Sequence, residues 1–183
     1  MAWRNSNLRY GSLSVSLHWL MLILLVAVYA CMELRGYFPK GSDLRAALKV
    51  WHYMLGLSVL VLVAIRIYAR FSGPLPAIEP AIPGWQAQSA KLLHLALYAL
   101  MLGMPIAGWL ILSADGKPIP FWGLELPPLV APSHSLAESL EEWHGTGAEF
   151  GYWLAGLHAV AGLYHHYVRK DNSLTRILPG RGA

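Results

Sequence analysis

The stretch WHGTGAEFGYWLAGLHAVAGLYHH, residues 143–166, places four histidines in a run otherwise apolar enough for a lipid bilayer. His144 and His158 stand fourteen residues apart. On an α-helix that interval is about 21 Å and nearly four whole turns, so both imidazoles project from one face at two depths.

The whole chain supports a bilayer setting. Its 183 residues are 56% hydrophobic and only 13% charged, with a mean hydropathy of +0.43, which fits one membrane domain over 1–183. A single cysteine, Cys31, excludes an intramolecular disulfide, a CxxC pair and a cysteine-ligated iron–sulfur cluster. The net charge of +4 sits on residues that flank apolar runs rather than in one patch. That fits membrane orientation and not nucleic-acid binding.

Charge-free runs cover 10–32, 50–65, 92–114 and 150–168. They predict an all-α membrane protein, a four-transmembrane-helix bundle with helices at about 12–34, 48–70, 87–113 and 139–169. The second run is short and needs Lys49, Arg66 and Arg70 to snorkel. GPLPAIEPAIPG (73–84) and ADGKPIPFWGLELPPLVAPSHS (114–135) are rich in helix breakers and mark loops. Within the second, FWGLELPPLV is too short to span and is expected at the interface, as a lid. The first run also invites a signal-peptide reading, with VYAC at 28–31 as the cleavage site, but tyrosine fits poorly there and the run is long enough to cross.

Basic residues set the orientation. Arg4, Arg9, Arg66, Arg70, Lys91, Arg169, Lys170, Arg176 and Arg181 flank one side and outnumber those on the other, which places both termini in the cytoplasm. With that topology His18 and His158 lie toward the inner side, and His52 and His144 toward the outer. Depth therefore pairs His18 with His158 and His52 with His144. Neutral histidine offers a metal a bare nitrogen without burying a charge, and two imidazoles at each of two depths suit two irons.

Gly56, Gly145, Gly147, Gly151, Gly156 and Gly162 leave room for a broad ring beside the backbone, although close helix packing uses glycine equally well. Zinc would want carboxylate or cysteine ligands converging with the histidines, and the inner level has none. A haem-free scaffold or transporter, with the histidines joining helix to helix, accounts for a single imidazole better than for two matched pairs.

HW (18–19), MELRGYFPK (32–40), KVWHYMLG (49–56), WHGTGAEFGYWLAGLH (143–158) and HHYVRKDNSLTRILP (165–179) together resemble the bacterial cytochrome b561 family nearly end to end, most loosely over 114–138. The resemblance implies four transmembrane helices in the bacterial inner membrane and two b-type haems, the inner held by His18 and His158 and the outer by His52 and His144. It also implies an enzyme, a superoxide:ubiquinone oxidoreductase that oxidises superoxide on the periplasmic side and reduces the quinone on the other.

Further residues can be weighed against that route. Arg35, Lys40, Arg45 and Lys49 could steer a small anion or hold haem propionates. His165, two turns beyond His158, and His94, near the start of the third helix, are candidate quinone contacts able to give a proton. His166 and His134 read as interfacial, and Glu149 and Cys31 carry no assignment. Membrane lipid surrounds such a protein, no obligatory protein partner is expected, and a homo-oligomer is compatible with the sequence. The alternative is a cytochrome b subunit that relays electrons to quinone from a hydrogenase- or formate-dehydrogenase-like partner.

Overall fold

A computed structural model of the chain describes residues 3–180; Arg181, counted above among the orienting charges, lies outside them. Helix α1 (Ser12–Arg35) is followed by α2 (Asp43–Phe71) and α3 (Gly84–Ala114). A hairpin of β1 (Pro120–Phe121) and β2 (Leu124–Glu125) precedes α4 (His134–Tyr164). A π-helical turn at His165–Arg169 and a 3-10 turn at Thr175–Ile177 complete the order.

Helices α2, α3 and α4 begin upstream of the starts expected from the charge-free runs, because such a run locates hydrocarbon rather than the helix N-terminus. At α2 the Ser42 hydroxyl accepts the Arg45 backbone N–H at 3.4 Å, and Asp43 occupies the first turn. That is an N-cap with a favourable charge on the helix dipole. At α4 the first backbone bond runs from Ala137 N–H to Ser133 O at 3.0 Å. The expected α-helix to residue 169 instead ends at Tyr164, and its last five residues form the π turn.

Three helices, α1, α2 and α3, are long and apolar enough to cross a membrane, with mean hydropathies of 2.2, 1.9 and 2.0. Only 22%, 17% and 17% of these windows is buried within the protein. Leu22, Ile23, Val26, Val61, Leu92 and Leu95 are exposed instead, an inversion that suits a lipid solvent. Helix α4 has the length of α3 but is not in this class: Glu138, Glu141 and Glu142 lie in its first half, and Glu149, His158 and several glycines, tyrosines and tryptophans lower the hydropathy of the rest.

The described chain falls into two compact units. Among the described residues the first comprises 3–20, 63–99 and 150–180, and the second 21–62 and 100–149.

In the first unit the N-terminal segment folds over the start of α1. Asn5 Oδ1 accepts the Gly11 N–H at 2.9 Å and the Ser14 hydroxyl at 2.8 Å. A Cβ on Gly11 would stand 2.4 Å from the Arg4 backbone, so only glycine fits this approach. The C-terminal segment is clamped to the 74–80 connection. Asn172 N–H donates to Glu79 O at 3.0 Å, Glu79 N–H returns to Asn172 Oδ1 at 2.9 Å, and Arg176 Nη1 donates to Pro76 O at 2.5 Å.

In the second unit Leu57, Leu112 and Ile119 form a buried cluster, joined by Tyr53, Trp109, Phe121 and Leu126. The loop expected over 114–135 contains the β hairpin, which packs on this cluster. Its two-residue tip is Trp122 and Gly123, both at positive φ (48° and 87°). Such a primed turn normally carries Asn-Gly or Asp-Gly, so Trp-Gly gave no hairpin signal in the sequence. Trp122 is held there by its own side chain: Nε1 donates to the Ser58 hydroxyl at 2.9 Å and its ring meets Trp51 edge-on at 5.7 Å.

Candidate functional site

Each unit contains one of the histidine pairs that depth predicted. In the second unit His52 on α2 and His144 on α4 have ring centres 6.1 Å apart at an interplanar angle of 77°. In the first, His18 on α1 and His158 on α4 are 6.2 Å apart at 59°. All four are half-buried.

These spacings can be tested against an iron. With a metal–nitrogen bond of about 2.0 Å and a nitrogen about 1.1 Å from its ring centre, two imidazoles that share one metal from opposite sides would have centres roughly 6.2 Å apart. Both pairs meet that figure. His94 on α3 stands only 5.2 Å from His158, too close for those two rings to occupy opposite faces of one iron. Among the described residues no group of three or more His, Cys, Asp or Glu side chains is placed to hold a bare metal ion.

Hydrogen bonds distinguish the four rings. His52 Nδ1 donates to Val28 O at 3.1 Å, which fixes the tautomer and leaves Nε2 bare, the usual preparation of a ligating histidine. His144 Nδ1 is buried without a hydrogen-bond partner, and a Cβ on Gly108 would touch its Cε1 at 3.5 Å. An orphaned ring nitrogen in a half-buried site fits a group that belongs there.

His18 differs, because Arg66 Nη2 donates to its Nδ1 at 3.0 Å. An imidazole that accepts at Nδ1 carries its proton on Nε2, so ligation through Nε2 requires the Arg66 contact to be released. The Arg66 guanidinium also reaches Tyr98 Oη at 3.4 Å and Leu17 O at 3.5 Å. A cation among neutral acceptors in an apolar helix was a signal available in the sequence, although its partner was not.

The glycines divide. Gly147 packs against α3, since a Cβ there would stand 2.6 Å from Met104 Sδ, whereas Gly56, Gly145, Gly156 and Gly162 face open space in which a Cβ meets nothing within 4 Å. The first behaves as helix packing and the others leave volume a ring can enter.

Of the four basic candidates, Arg45 is occupied structurally, its Nη1 donating to Arg35 O at 2.9 Å and Phe38 O at 2.8 Å. Arg35 Nε is buried without a hydrogen-bond partner. Lys40 is exposed and Lys49 half-buried. His94 is exposed, with Nδ1 donating to Ala90 O at 2.6 Å. His165 donates from Nδ1 to Asp171 Oδ2 at 2.5 Å, a carboxylate that sequence reasoning passed over. His134 pairs with Glu138 at the surface, 3.3 Å away. Trp143 and Trp153 are 75% and 79% exposed within the protein.

Known proteins resemble this chain in sequence. A family model described as Prokaryotic cytochrome b561 matches residues 9–180. The chain is 38% identical to Cytochrome b561 homolog 1 of Escherichia coli (strain K12) over 173 residues, covering 94% of this chain and 98% of that protein. It is 34% identical to Probable superoxide oxidase CybB of Yersinia pestis over 171 residues, 93% and 96% of the two chains. Cytochrome b561 homolog 2 of Escherichia coli (strain K12) is 30% identical over 186 residues, 97% and 95% of the two.

Proposed function

Since the chain belongs to the prokaryotic cytochrome b561 family of bacterial membrane electron-transfer proteins, we propose that it is a dihaem superoxide:ubiquinone oxidoreductase of the inner membrane. In this reading α4 is the fourth transmembrane helix and both termini are cytoplasmic. The observation that carries it is the pair of imidazole spacings, 6.2 Å and 6.1 Å, at which each pair of histidines would be able to hold one iron. The Yersinia pestis relative, a probable superoxide oxidase, supports the choice of electron donor.

A b-type haem at each pair would supply a one-electron iron couple. The protein's own residues then have separate tasks. His52 and His144 hold the periplasmic group, with Val28 O keeping the His52 ring oriented. His18 and His158 hold the cytoplasmic one, and Arg66, once displaced from His18, is free to meet an anionic edge of the cofactor. Two histidines for each iron would leave it no open position for oxygen, which suits electron transfer rather than oxygen binding.

On the periplasmic side Arg35, with its buried unpartnered Nε, is the anion-facing group, for a haem propionate or for superoxide. Arg45 instead holds the α1–α2 connection, and Lys40 and Lys49 add diffuse positive charge that draws the anion in. On the cytoplasmic side His165 meets a quinone carbonyl and gives it a proton, with His94 a second polar contact beside His158. The balanced reaction consumes two superoxide ions, one quinone and two protons and yields two dioxygen molecules and one quinol.

The test uses purified full-length protein in detergent. Dithionite reduction and haem extraction are expected to give two haem b per chain. A pulse of superoxide with a short-chain ubiquinone is expected to produce quinol without any added protein, and to fail when superoxide dismutase is present. A haem-containing protein inert toward superoxide until a soluble dehydrogenase is added would establish the relay reading instead, and absence of haem would end both.

A further inference from the structure

The His165–Asp171 pair is a contact that an α-helix cannot make. Residues six apart on a regular helix lie about 9 Å along the axis and two-thirds of a turn apart, so their side chains diverge. Here the chain leaves the α register as a π turn at His165–Arg169. Lys170 then takes a left-handed conformation, φ 56°. The backbone folds back on itself, with the Asp171 N–H donating to His165 O at 3.2 Å. This reversal carries the Asp171 carboxylate to His165 Nδ1, 2.5 Å away.

The pair is also enclosed. The side chain of Asp171 is 1% exposed and that of His165 15%. The second carboxylate oxygen accepts the Ser173 N–H at 2.9 Å, so Asp171 is anchored by backbone on one side and bonded to the ring on the other. Beyond it, Asn172 and Arg176 tie the segment to Glu79 and Pro76, and Ile177 O accepts the Trp19 Nε1–H at 2.7 Å. Local π turns of this kind recur at functional positions rather than as packing accidents.

We propose that Asp171 is a positioning residue for quinone reduction: by accepting the His165 Nδ1–H it fixes the ring orientation and stabilises the imidazolium whose Nε2–H protonates the quinone. The proposal rests on the reading of the chain as a quinone reductase. In the step itself the Nε2–H bond breaks as an O–H bond forms on a quinone carbonyl oxygen, while the electrons come from superoxide, which is oxidised to dioxygen. The ring regains its proton from water at its exposed edge, and two such transfers complete one quinol. Asp171 takes no proton, just as a carboxylate behind a catalytic histidine stays ionised while it orients the ring.

The experiment compares wild type, Asp171→Asn and Asp171→Glu as haem-loaded full-length proteins. Asparagine keeps an oxygen for the Ser173 N–H but loses the charge that supports an imidazolium. For Asp171→Asn the expected result is a fall in kcat for quinone reduction of about tenfold to a hundredfold. The quinone KM should change less than about twofold, with a larger solvent deuterium isotope effect and unchanged haem content and rate of haem reduction by superoxide. Asp171→Glu should recover most of kcat.

Equal kcat and isotope effect in wild type and Asp171→Asn, both with full haem, would overturn the assignment and leave the quinone reading intact. A wild type that takes electrons from superoxide but yields no quinol would overturn the quinone reading and this proposal with it. Independently of how the variants fold, histidine-ring nitrogen NMR of the reduced wild type is expected to show a His165 proton on Nδ1 in a strong hydrogen bond. A proton on Nε2 alone would contradict the proposal.

Discussion

At the scale of single residues, the two histidine pairs make separable demands. Replacing His52 or His144 by alanine is expected to remove about half of the bound haem, measured as haem per protein after extraction, because each iron loses one of two protein ligands. His18→Ala should do the same while His94→Ala keeps full haem, since the 5.2 Å approach of His94 to His158 is too short for opposite axial positions; the reverse result would exchange their roles.

Gly11 offers a test without cofactor. A Cβ there meets Arg4 backbone atoms that cannot swing aside, so Gly11→Ala is expected to cost about 1–3 kcal/mol in denaturation midpoint experiments.

Asp171 gives a pH dependence. Burial by itself would raise its carboxyl, but the hydrogen bonds from His165 and Ser173 outweigh that and hold it below the ordinary value of 3.8. A group depressed in the folded state contributes its full stabilisation above its ordinary value and loses it as pH falls through the lower folded one. The contribution of Asp171 to the C-terminal clamp should therefore be fully present in weakly acid buffer and be lost only below about pH 4, read as the onset of limited proteolysis. Release on moving from neutral to weakly acid buffer would show that another group controls it.

At the scale of elements, helix positions were legible because a charge-free run is a property of the chain itself. Helix ends were less so, because caps such as Ser42 act where polar residues are dense and a charge count sees only interruption. Ser42→Ala is expected to destabilise the first turn of α2 by about 1 kcal/mol, seen as faster hydrogen exchange confined to residues near Arg45.

The β hairpin was not legible. Trp122 adopts a positive φ through its contacts with Ser58 and Trp51, which are 64 and 71 residues away in sequence, and no local preference announces it. Once those contacts are removed only the backbone preference remains, so Trp122→Gly should be at least as stable as Trp122→Ala in the same denaturation assay. Alanine proving clearly more stable would show that the turn relaxes when the indole is gone.

At the scale of the whole molecule, three apolar helices with largely exposed faces and a family match over residues 9–180 make this a bacterial membrane cytochrome. Its orientation rests on the basic residues, and reporter fusions at either terminus are expected to report cytoplasm. A periplasmic signal at both ends would exchange the donor and acceptor sides and move superoxide chemistry to the His18–His158 pair.

The sequence by itself determined the solvent, the helices and which histidines share a depth, because hydropathy and helical rise are one-dimensional quantities that survive without a fold. Only the tertiary structure decided that His52 turns its Nδ1 to Val28 O, that Arg66 faces His18, and that Asp171 closes back on His165. Those outcomes depend on hydrogen bonds between groups that the chain brings together only by packing one element on another or by leaving regular helix, and neither event is written in periodicity.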